Sequence, residues 1–125
     1  MIHSDFNKET GILETNFEGE ISIKEMLDYI VSIRENKNLP TVLKIYSNGT
    51  DAKFAEKVSR RDLVRFLDEN KITLAQKKFV YDAYVVSSAF EMALGMLYRD
   101  LNKIDNYKFD IFSTKEAAIN WLNKF

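Results

Sequence analysis

Apolar residues recur along the chain with two alternating periods, and this pattern predicts an α/β fold. Five short apolar runs have the length and composition of strands: residues 2–6, 12–17, 41–47, 79–86 and 107–112. A segment with apolar residues at helical spacing follows each of the last four runs. The order β-β-α-β-α-β-α-β-α predicts one domain with an about five-stranded, mixed and mostly parallel sheet, an N-terminal β-hairpin and four helices.

The run TVLKIYS at residues 41–47 is predicted to be the central strand of the sheet. Pro40 precedes it and Asn48-Gly49 follows it, and such turn formers typically bracket a buried strand. Residues 48–51 are therefore predicted to form a loop. Ligands of open parallel sheets bind beyond the carboxyl ends of the strands, so this loop is a candidate ligand or partner site.

Serine residues follow several predicted strands and are expected to lie along that same edge of the sheet. The candidate ligand or partner edge comprises Ser47, Asn48, Gly49, Asp51, Ser87 and Ser88, with Ser113 farther along the chain. A row of hydroxyl groups there could hydrogen-bond an anion or a polar headgroup. The alternative, which we favour, is that the serines cap helices and that the loop is an ordinary turn.

Each predicted helix begins with Ser-x-x-Asp/Glu, the pattern of a capping box. The four starting residues are Ser22, Ser59, Ser88 and Ser113. Ser59 has a second interpretation as a phospho-acceptor, because the dipole and the free N–H groups of a helix N-terminus stabilise a phosphate. As a plain N-cap, the interpretation that we favour, it contributes about 1 kcal/mol to stability.

The third predicted helix is apolar nearly all round in its opening turns. Its apolar residues include Phe90, Met92, Leu94, Met96, Leu97 and Leu101. Such a helix is either packed in the core or presents an apolar surface. We expect core packing, with Phe90 in the main buried stripe. The alternative is a contact site for a partner or an acyl chain at Phe90, Met92 and Met96.

Basic side chains recur every four residues at Lys53, Lys57, Arg61 and Arg65. On one continuous helix they would form a basic stripe suited to an acidic partner or a membrane surface. A helix start at Ser59 interrupts this row, so we expect an ordinary solvated surface.

Asp82 is the only ionisable residue in the apolar run 79–86. A buried carboxylate has to be paired or neutral, and we expect a lysine or a helix N–H as its partner, with a catalytic role as the alternative. The rest of the chain is poor in catalytic groups: His3 is the only histidine, and there is no cysteine and no glycine-rich phosphate loop. We expect no enzymatic activity, no cofactor and no metal.

The 125 residues carry 18 basic and 19 acidic side chains, a formal net charge of -1. This balance gives no electrostatic case for nucleic-acid binding. The N-terminal segment lacks the apolar stretch of a signal peptide, and no apolar run approaches the roughly 20 residues of a membrane helix. We expect a single cytoplasmic domain over residues 1–125 that does not span a membrane.

Three stretches of the sequence point to one superfamily. The predicted hairpin continues into FEGEIS at residues 17–22 and then into the first helix, and a buried strand precedes a variable loop. The stretch IFSTKEAAINWL at residues 111–122 joins a strand end to Ser-x-x-Glu-Ala and Trp-Leu. With this layout over nearly its whole length, the chain resembles the STAS (SpoIIAA-like) superfamily of anti-sigma-factor antagonists and their relatives, most of all its uncharacterised SpoIIAA-like branch.

The resemblance implies a non-enzymatic regulatory or protein-interaction domain. The antagonists carry a phosphorylatable serine in Asp-Ser-[Ser/Thr]-Gly-Leu at the start of the second helix. The matching stretch here, VSRRDL at residues 58–63, retains only Ser59 and Leu63 of that motif. We expect a protein partner or a second copy of the chain, as in a homodimer. The alternative is a carrier of a lipid or small ligand, because SpoIIAA-like folds include lipid-binding relatives, and an enzyme is the third hypothesis.

Overall fold

The computed structural model describes residues 1–125, which form five strands and four helices. The strands are β1 (Ile2–Asn7), β2 (Ile12–Ile21), β3 (Val42–Phe54), β4 (Phe79–Val85) and β5 (Tyr107–Phe112). The helices are α1 (Ile23–Glu35), α2 (Arg60–Leu74), α3 (Ala89–Leu101) and α4 (Lys115–Leu122). The predicted order of elements is confirmed.

The five strands form one sheet in the order β1-β2-β3-β4-β5, with the predicted central strand β3 in the middle. β1 and β2 pair antiparallel across a turn in which Gly11 adopts a φ of 72°. That left-handed conformation favours glycine. The other neighbouring pairs are parallel, so the α/β prediction with an N-terminal hairpin is confirmed.

Helices cover the two faces of the sheet unequally. Three consecutive parallel crossovers in one direction place α1, α2 and α3 on the same face, where they enclose the larger apolar core with residues such as Leu13, Leu43 and Val80. α4 packs alone on the opposite face, where Ala118 and Leu122 are fully buried against the sheet. β4 is covered on both faces, which explains its nearly continuous apolar sequence.

The prediction of a loop at residues 48–51 is wrong, because β2 and β3 continue to pair beyond it. After an irregularity between Asn16 and Glu18, the pairing resumes and runs to Ile21 opposite Phe54. Gly19 lies inside β2 with a φ of 72° and does not end the strand. Phe54 is therefore the last residue of β3.

Gly49 serves close packing rather than a turn. A Cβ atom at this position would lie 2.6 Å from Cε1 of Tyr84, which is closer than real Cβ contacts come. The ring of Tyr84 thus occupies the space that a side chain at residue 49 would need, so the Asn48-Gly49 pair does not signal a turn here.

The predicted helix caps are confirmed at three of the four helices. Ser22 and Ser59 form complete capping boxes with Glu25 and Asp62, and Ser88 caps α3 through the N–H of Glu91. The cap predicted at Ser113 is wrong by one residue. Thr114 caps α4 instead, because its hydroxyl accepts a hydrogen bond from the N–H of Ala117.

The polar pair Asn70-Lys71 looks like a helix end in the sequence, but α2 continues to Leu74. Asn70 does not stop the helix, because its side chain points inward and donates a hydrogen bond to the hydroxyl of Tyr98. Tertiary contact has overridden the low helix propensity of asparagine.

α3 approaches β5 closely at Gly95. A Cβ atom built there would overlap Cδ1 of Ile111 and lie 2.9 Å from its Cγ1. The absence of a side chain at residue 95 therefore sets the distance between α3 and the sheet.

We expect Gly95→Ala to destabilise the protein by about 1–2 kcal/mol, because crowding typically costs about 1–3 kcal/mol and the better helix propensity of alanine returns about 1 kcal/mol at most. Chemical denaturation measures the change. Ile111→Val removes the nearest methyl group, so Gly95→Ala should cost less in that background. An equal cost in both backgrounds would show that the contact with Ile111 is not the cause.

Candidate functional site

A cavity of about 120 Å³ lies between the sheet and helices α1, α2 and α3. Most of its lining is apolar, including Phe17, Ile30, Phe66, Leu94 and Phe109. It extends along most of the length of β4 and β5 and past Ser47 on β3, so it reaches the carboxyl-terminal side at which parallel sheets bind ligands. The cavity is therefore the main candidate for a functional site.

The cavity reaches solvent at a rim formed by Ala52, Lys53 and Glu91. These residues line the cavity and also a shallow surface depression next to it. Lys53 is exposed and the other two are partly exposed. A small molecule can thus approach between the extension of β3 and the first turn of α3.

Asp82 lies in the middle of β4 and lines the cavity wall. Its Oδ2 accepts a hydrogen bond of 2.8 Å from the hydroxyl of Tyr107, and its Oδ1 accepts a longer one of 3.4 Å from Ser47. The expectation of a lysine or helix N–H as partner is wrong. Two hydroxyl groups from the neighbouring strands hold the carboxylate.

The hydrogen bonds at Asp82 continue into the helical layer. The hydroxyl of Tyr107 also lies 3.2 Å from the hydroxyl of Tyr98. Because Tyr107 donates its hydrogen to Asp82, Tyr98 is the donor in the hydrogen bond between the two tyrosines. Asn70 in turn donates to the hydroxyl of Tyr98 at 2.8 Å. This chain of donors runs from α2 through α3 and β5 to the carboxylate, and every hydroxyl hydrogen in it is directed toward Asp82.

A second polar cluster lies beside the cavity on β2 and α1. The hydroxyls of Thr15 and Tyr29 are 2.8 Å apart, and Ser4 on β1 is 3.0 Å from Thr15. Burial raises the pKa of Tyr29, and the negative charge of Asp82 raises it further. Tyr29 is thus a neutral hydrogen-bonding group.

Burial raises the pKa of Asp82 to about 6, while the hydrogen bonds from Tyr107 and Ser47 act in the opposite direction. Burial also raises the pKa of Tyr84, Tyr98 and Tyr107, and the charge of Asp82 adds to the shift of each. At neutral pH the cavity therefore contains the ionised carboxylate of Asp82, whose burial lowers the stability of the folded state, among neutral tyrosine side chains.

Aromatic rings surround the region of the carboxylate. The ring centroids of Phe17 and Tyr84 are 5.1 Å apart, and those of Phe17 and Tyr29 are 5.5 Å apart. Phe109 lies 4.7 Å from Tyr98 in an edge-to-face arrangement. All five residues line the cavity, so its polar end has largely aromatic walls.

The predicted edge of serines does not assemble into one site. Ser47 is buried and faces Asp82, while Ser87 donates to the backbone carbonyl of Thr50 at 2.9 Å. Ser88 caps α3, and Ser113 is exposed at the start of α4. The candidate row of hydroxyl groups does not form, because β3 continues seven residues past Ser47.

Asn48, Gly49 and Asp51 also separate in space. Asn48 donates a hydrogen bond to Asn16 of β2, and strand alternation places it on the face away from the cavity. Gly49 lines the cavity beside Tyr84, whereas Asp51 is exposed in the shallow depression. Of the predicted edge residues, only Ser47 and Gly49 belong to the cavity.

The apolar residues of α3 divide between core and surface. Met92 is partly buried and packs against the larger core, whereas Phe90 is 65% and Met96 is 43% exposed. Phe90 was expected in the buried stripe, and that expectation is wrong. With the exposed Ala93 between them, Phe90 and Met96 form an outward-facing patch, which we name the α3 apolar surface.

The predicted basic row is divided between different elements. Lys53 lies at the end of β3, Lys57 lies in the connection that follows, and Arg61 and Arg65 are exposed on α2. These residues do not form a helical stripe, as expected from the helix start at Ser59.

Sequence reasoning singled out Asp82 and Ser47 but missed the tyrosines around them. Tyr29, Tyr98 and Tyr107 looked like ordinary core residues. The only signal was the number of tyrosines at predicted interior positions, each of which needs a partner for its hydroxyl when it is buried.

Comparison with solved structures identifies the fold. An uncharacterised protein of the DUF3478 family from Shewanella loihica PV-4, with a SpoIIAA-like fold, superposes with a TM-score of 0.61 over 98% of this chain and 92% of that one. This chain has a SpoIIAA-like fold. The two sequences are 13% identical, so the likeness concerns the fold alone. No protein-family profile matches the sequence, and neither does any curated protein.

Ser59 occupies the start of α2 in this SpoIIAA-like fold. Its hydroxyl accepts from the N–H of Asp62 at 3.3 Å and donates to the Asp62 carboxylate at 2.9 Å. The hydrogen bonds from Ser59 lower the pKa of Asp62. A phosphate on Ser59 would face this carboxylate, and like-charge repulsion disfavours that arrangement. The geometry agrees with the favoured interpretation of Ser59 as an N-cap.

Two further observations concern the SpoIIAA-like domain as a whole. None of its helices combines the length and the apolar character that crossing a membrane requires. It also contains no group of three or more His, Asp or Glu side chains arranged to hold a metal ion.

We expect Asp82→Asn to change the pH dependence of stability. The folded state binds the proton of Asp82 more tightly than the unfolded state, so stability falls as pH rises from about 4 through about 6. A shift of about two pKa units corresponds to roughly 3 kcal/mol. Asp82→Asn removes this titration, so the variant should gain about 2–3 kcal/mol relative to wild type between pH 4 and pH 8.

Urea denaturation at both pH values measures the difference. Asp105→Asn, which removes an exposed carboxylate, controls for the change in net charge. If the difference between Asp82→Asn and wild type were the same at pH 4 and pH 8, Asp82 would not be a destabilising buried carboxylate.

Proposed function

We propose that this chain is a non-enzymatic binding domain that holds a small, largely apolar molecule in the cavity beneath α1, α2 and α3. The observation that carries the proposal is the cavity itself. A well-packed domain contains few voids larger than a water molecule, whereas this one encloses about 120 Å³ with a route to solvent. A pre-formed apolar pocket with a few convergent polar groups is the usual form of a ligand site.

The volume of the cavity limits the size of the ligand. Apolar cavities of about 150 Å³ bind benzene, so a cavity of about 120 Å³ accommodates one small ring or a short chain. A lipid with two acyl chains would have to remain mostly outside. Of the lipid and small-ligand alternatives, the size supports a small ligand.

The side chains around the cavity support binding rather than catalysis. Its ionisable groups are Asp82, the rim residues Lys53 and Glu91, and tyrosines. His3, the only histidine, is exposed on β1. The hydrogen-bond partners of Asp82 are the neutral hydroxyl groups of Ser47 and Tyr107, and such partners fit a recognition role.

We expect a neutral compound of matching size, such as benzyl alcohol or 1-hexanol, to raise the melting temperature. At about 100 times its Kd, a ligand stabilises the folded state by about 2.7 kcal/mol. Differential scanning fluorimetry measures the shift, and native mass spectrometry of freshly purified protein tests for a co-purified ligand. No shift with either compound and no additional mass would refute the proposal.

Two variants test whether binding occurs in the cavity. Ala52→Trp obstructs the rim and Leu94→Phe narrows the interior, so both should weaken binding at least tenfold. Ala117→Trp adds the same bulk to an exposed position on α4, on the opposite face, and should bind as wild type does. Circular dichroism verifies folding, and unchanged binding by both cavity variants would place the ligand elsewhere.

A second candidate function is contact with a protein through the α3 apolar surface. Exposed phenylalanine is uncommon on a solvated surface, and Met-rich patches suit adaptable contacts. Phe90, Ala93 and Met96 are all exposed on one side of α3. This observation supports the regulatory or interaction role that the resemblance implies, with a second copy of the chain as the first partner to test.

We expect wild-type protein to self-associate at concentrations of about 100 μM or above, and Phe90→Asp to reduce this at least tenfold, because a charge at the patch opposes burial. Sedimentation velocity measures the association. Ile72→Asp is the matched control, since Ile72 is 51% exposed on α2. Equal effects of the two substitutions, or a monomer at every concentration, would contradict a role for the α3 apolar surface in self-association.

A further inference from the structure

Resting on the proposed function, we propose that the cavity selects a small organic ammonium, whose positive charge pairs with the carboxylate of Asp82 between aromatic walls. The choice follows from the charge, the hydrogen bonding and the aromatic walls of the polar end of the cavity. The charge excludes anionic ligands, the hydrogen bonding excludes ligands with only acceptor atoms, and the aromatic walls favour a cation.

The charge of Asp82 has no counterion in the protein. Its hydrogen-bond partners are the neutral hydroxyls of Ser47 and Tyr107, and no basic side chain forms an ion pair with it. Buried charges are ordinarily paired or bound to a metal. A ligand that brings a positive charge supplies the missing partner, whereas a carboxylate ligand would add repulsion.

The other charged groups that line the cavity do not change this conclusion. Lys53 is the only basic residue in the lining, and it is exposed at the rim. Glu91 at the rim adds negative charge on the entry route. The remaining titratable groups are Tyr29 on α1, Tyr84 on β4, Tyr98 on α3 and Tyr107 on β5, which stay neutral because burial raises their pKa.

The carboxylate has room for further donors. A carboxylate offers about four lone-pair positions, and the two hydroxyl groups occupy one on each oxygen. The hydrogens of the Asn70–Tyr98–Tyr107 chain already point toward Asp82. The free lone pairs of the Asp82 carboxylate can therefore accept hydrogen bonds only from donors on a ligand or from water. An ammonium N–H fits such a position, and a ligand with only acceptor atoms does not.

The aromatic walls favour the same class of ligand. Ammonium groups are attracted to the faces of aromatic rings, and rings grouped around a cavity are a known way to bind them. Phe17 lies 5.1 Å from Tyr84 and 5.5 Å from Tyr29, measured between ring centroids. The aromatic rings would enclose a bound cation, and the carboxylate of Asp82 would neutralise its charge.

Three compounds with one ring and different polar groups test the inference: benzylamine, benzyl alcohol and benzoate. Isothermal titration calorimetry at pH 8, where Asp82 is ionised, measures their affinities. We expect benzylamine to bind at least tenfold more tightly than benzoate, and more tightly than benzyl alcohol. Asp82→Asn should abolish the preference for the amine over benzyl alcohol and benzoate, whereas Asp105→Asn should leave all three affinities unchanged.

The wild-type protein provides a test that needs no variant. At pH 5 most of the Asp82 side chains are protonated, since its pKa lies at about 6. The affinity for benzylamine should therefore be about tenfold lower at pH 5 than at pH 8, while the affinity for benzyl alcohol should change little. Loss of charge on Asp82 would produce this difference even if Asp82→Asn failed to fold.

The outcomes separate this inference from the proposed function. If benzyl alcohol binds but benzoate binds as well as benzylamine, the cavity is a ligand site and the ammonium inference is wrong. The inference is also wrong if benzylamine binds best with the same affinity in Asp82→Asn and at pH 5. If none of the three compounds binds, both the inference and the proposed function fail.

Discussion

Asp82 is a carboxylate that faces the cavity inside the larger core, and several polar groups of the cavity wall are arranged around it. It lies on an interior strand that is covered on both faces, where an apolar side chain would be the ordinary choice. Burial makes its ionised form costly, as its raised pKa shows. Hydrogen bonds to a charged group are worth about 1.5–3 kcal/mol, so Tyr107 and Ser47 offset part of that cost. No cation offsets the rest.

The same polar groups help to explain why a cavity remains. A buried tyrosine has to place its hydroxyl near a partner, and this requirement fixes the ring direction of Tyr98 and Tyr107 toward Asp82, and that of Tyr29 toward Thr15. Side chains held by such bonds are not free to collapse into the space between them. Hydrogen bonding therefore ties the helices to the sheet and keeps the space open.

Local pattern was sufficient to predict the fold, because helix periodicity, capping residues and the both-face apolar strand β4 are properties of short segments. It also identified Asp82 as an anomaly. It failed where distant residues decide the structure. Gly49 looked like a turn residue, but the ring of Tyr84, 35 positions away, requires it. The spacing of Phe90 along the helix places it on the buried stripe of α3. Periodicity predicts the direction of a side chain, but it does not predict whether the sheet extends far enough to cover that side chain. A cavity depends on three helices at once.

α3 connects the two candidate functions. It lines the cavity with Leu94, Gly95 and Tyr98, and its outer side carries Phe90 and Met96. Tyr98 is its only buried residue, whereas α2 has five, so α3 is the less firmly anchored of the two. Part of its anchoring is the hydrogen bond between Tyr98 and Tyr107, which depends in turn on Asp82. A ligand that pairs with Asp82 acts on the same chain of bonds that positions this helix and its exposed surface.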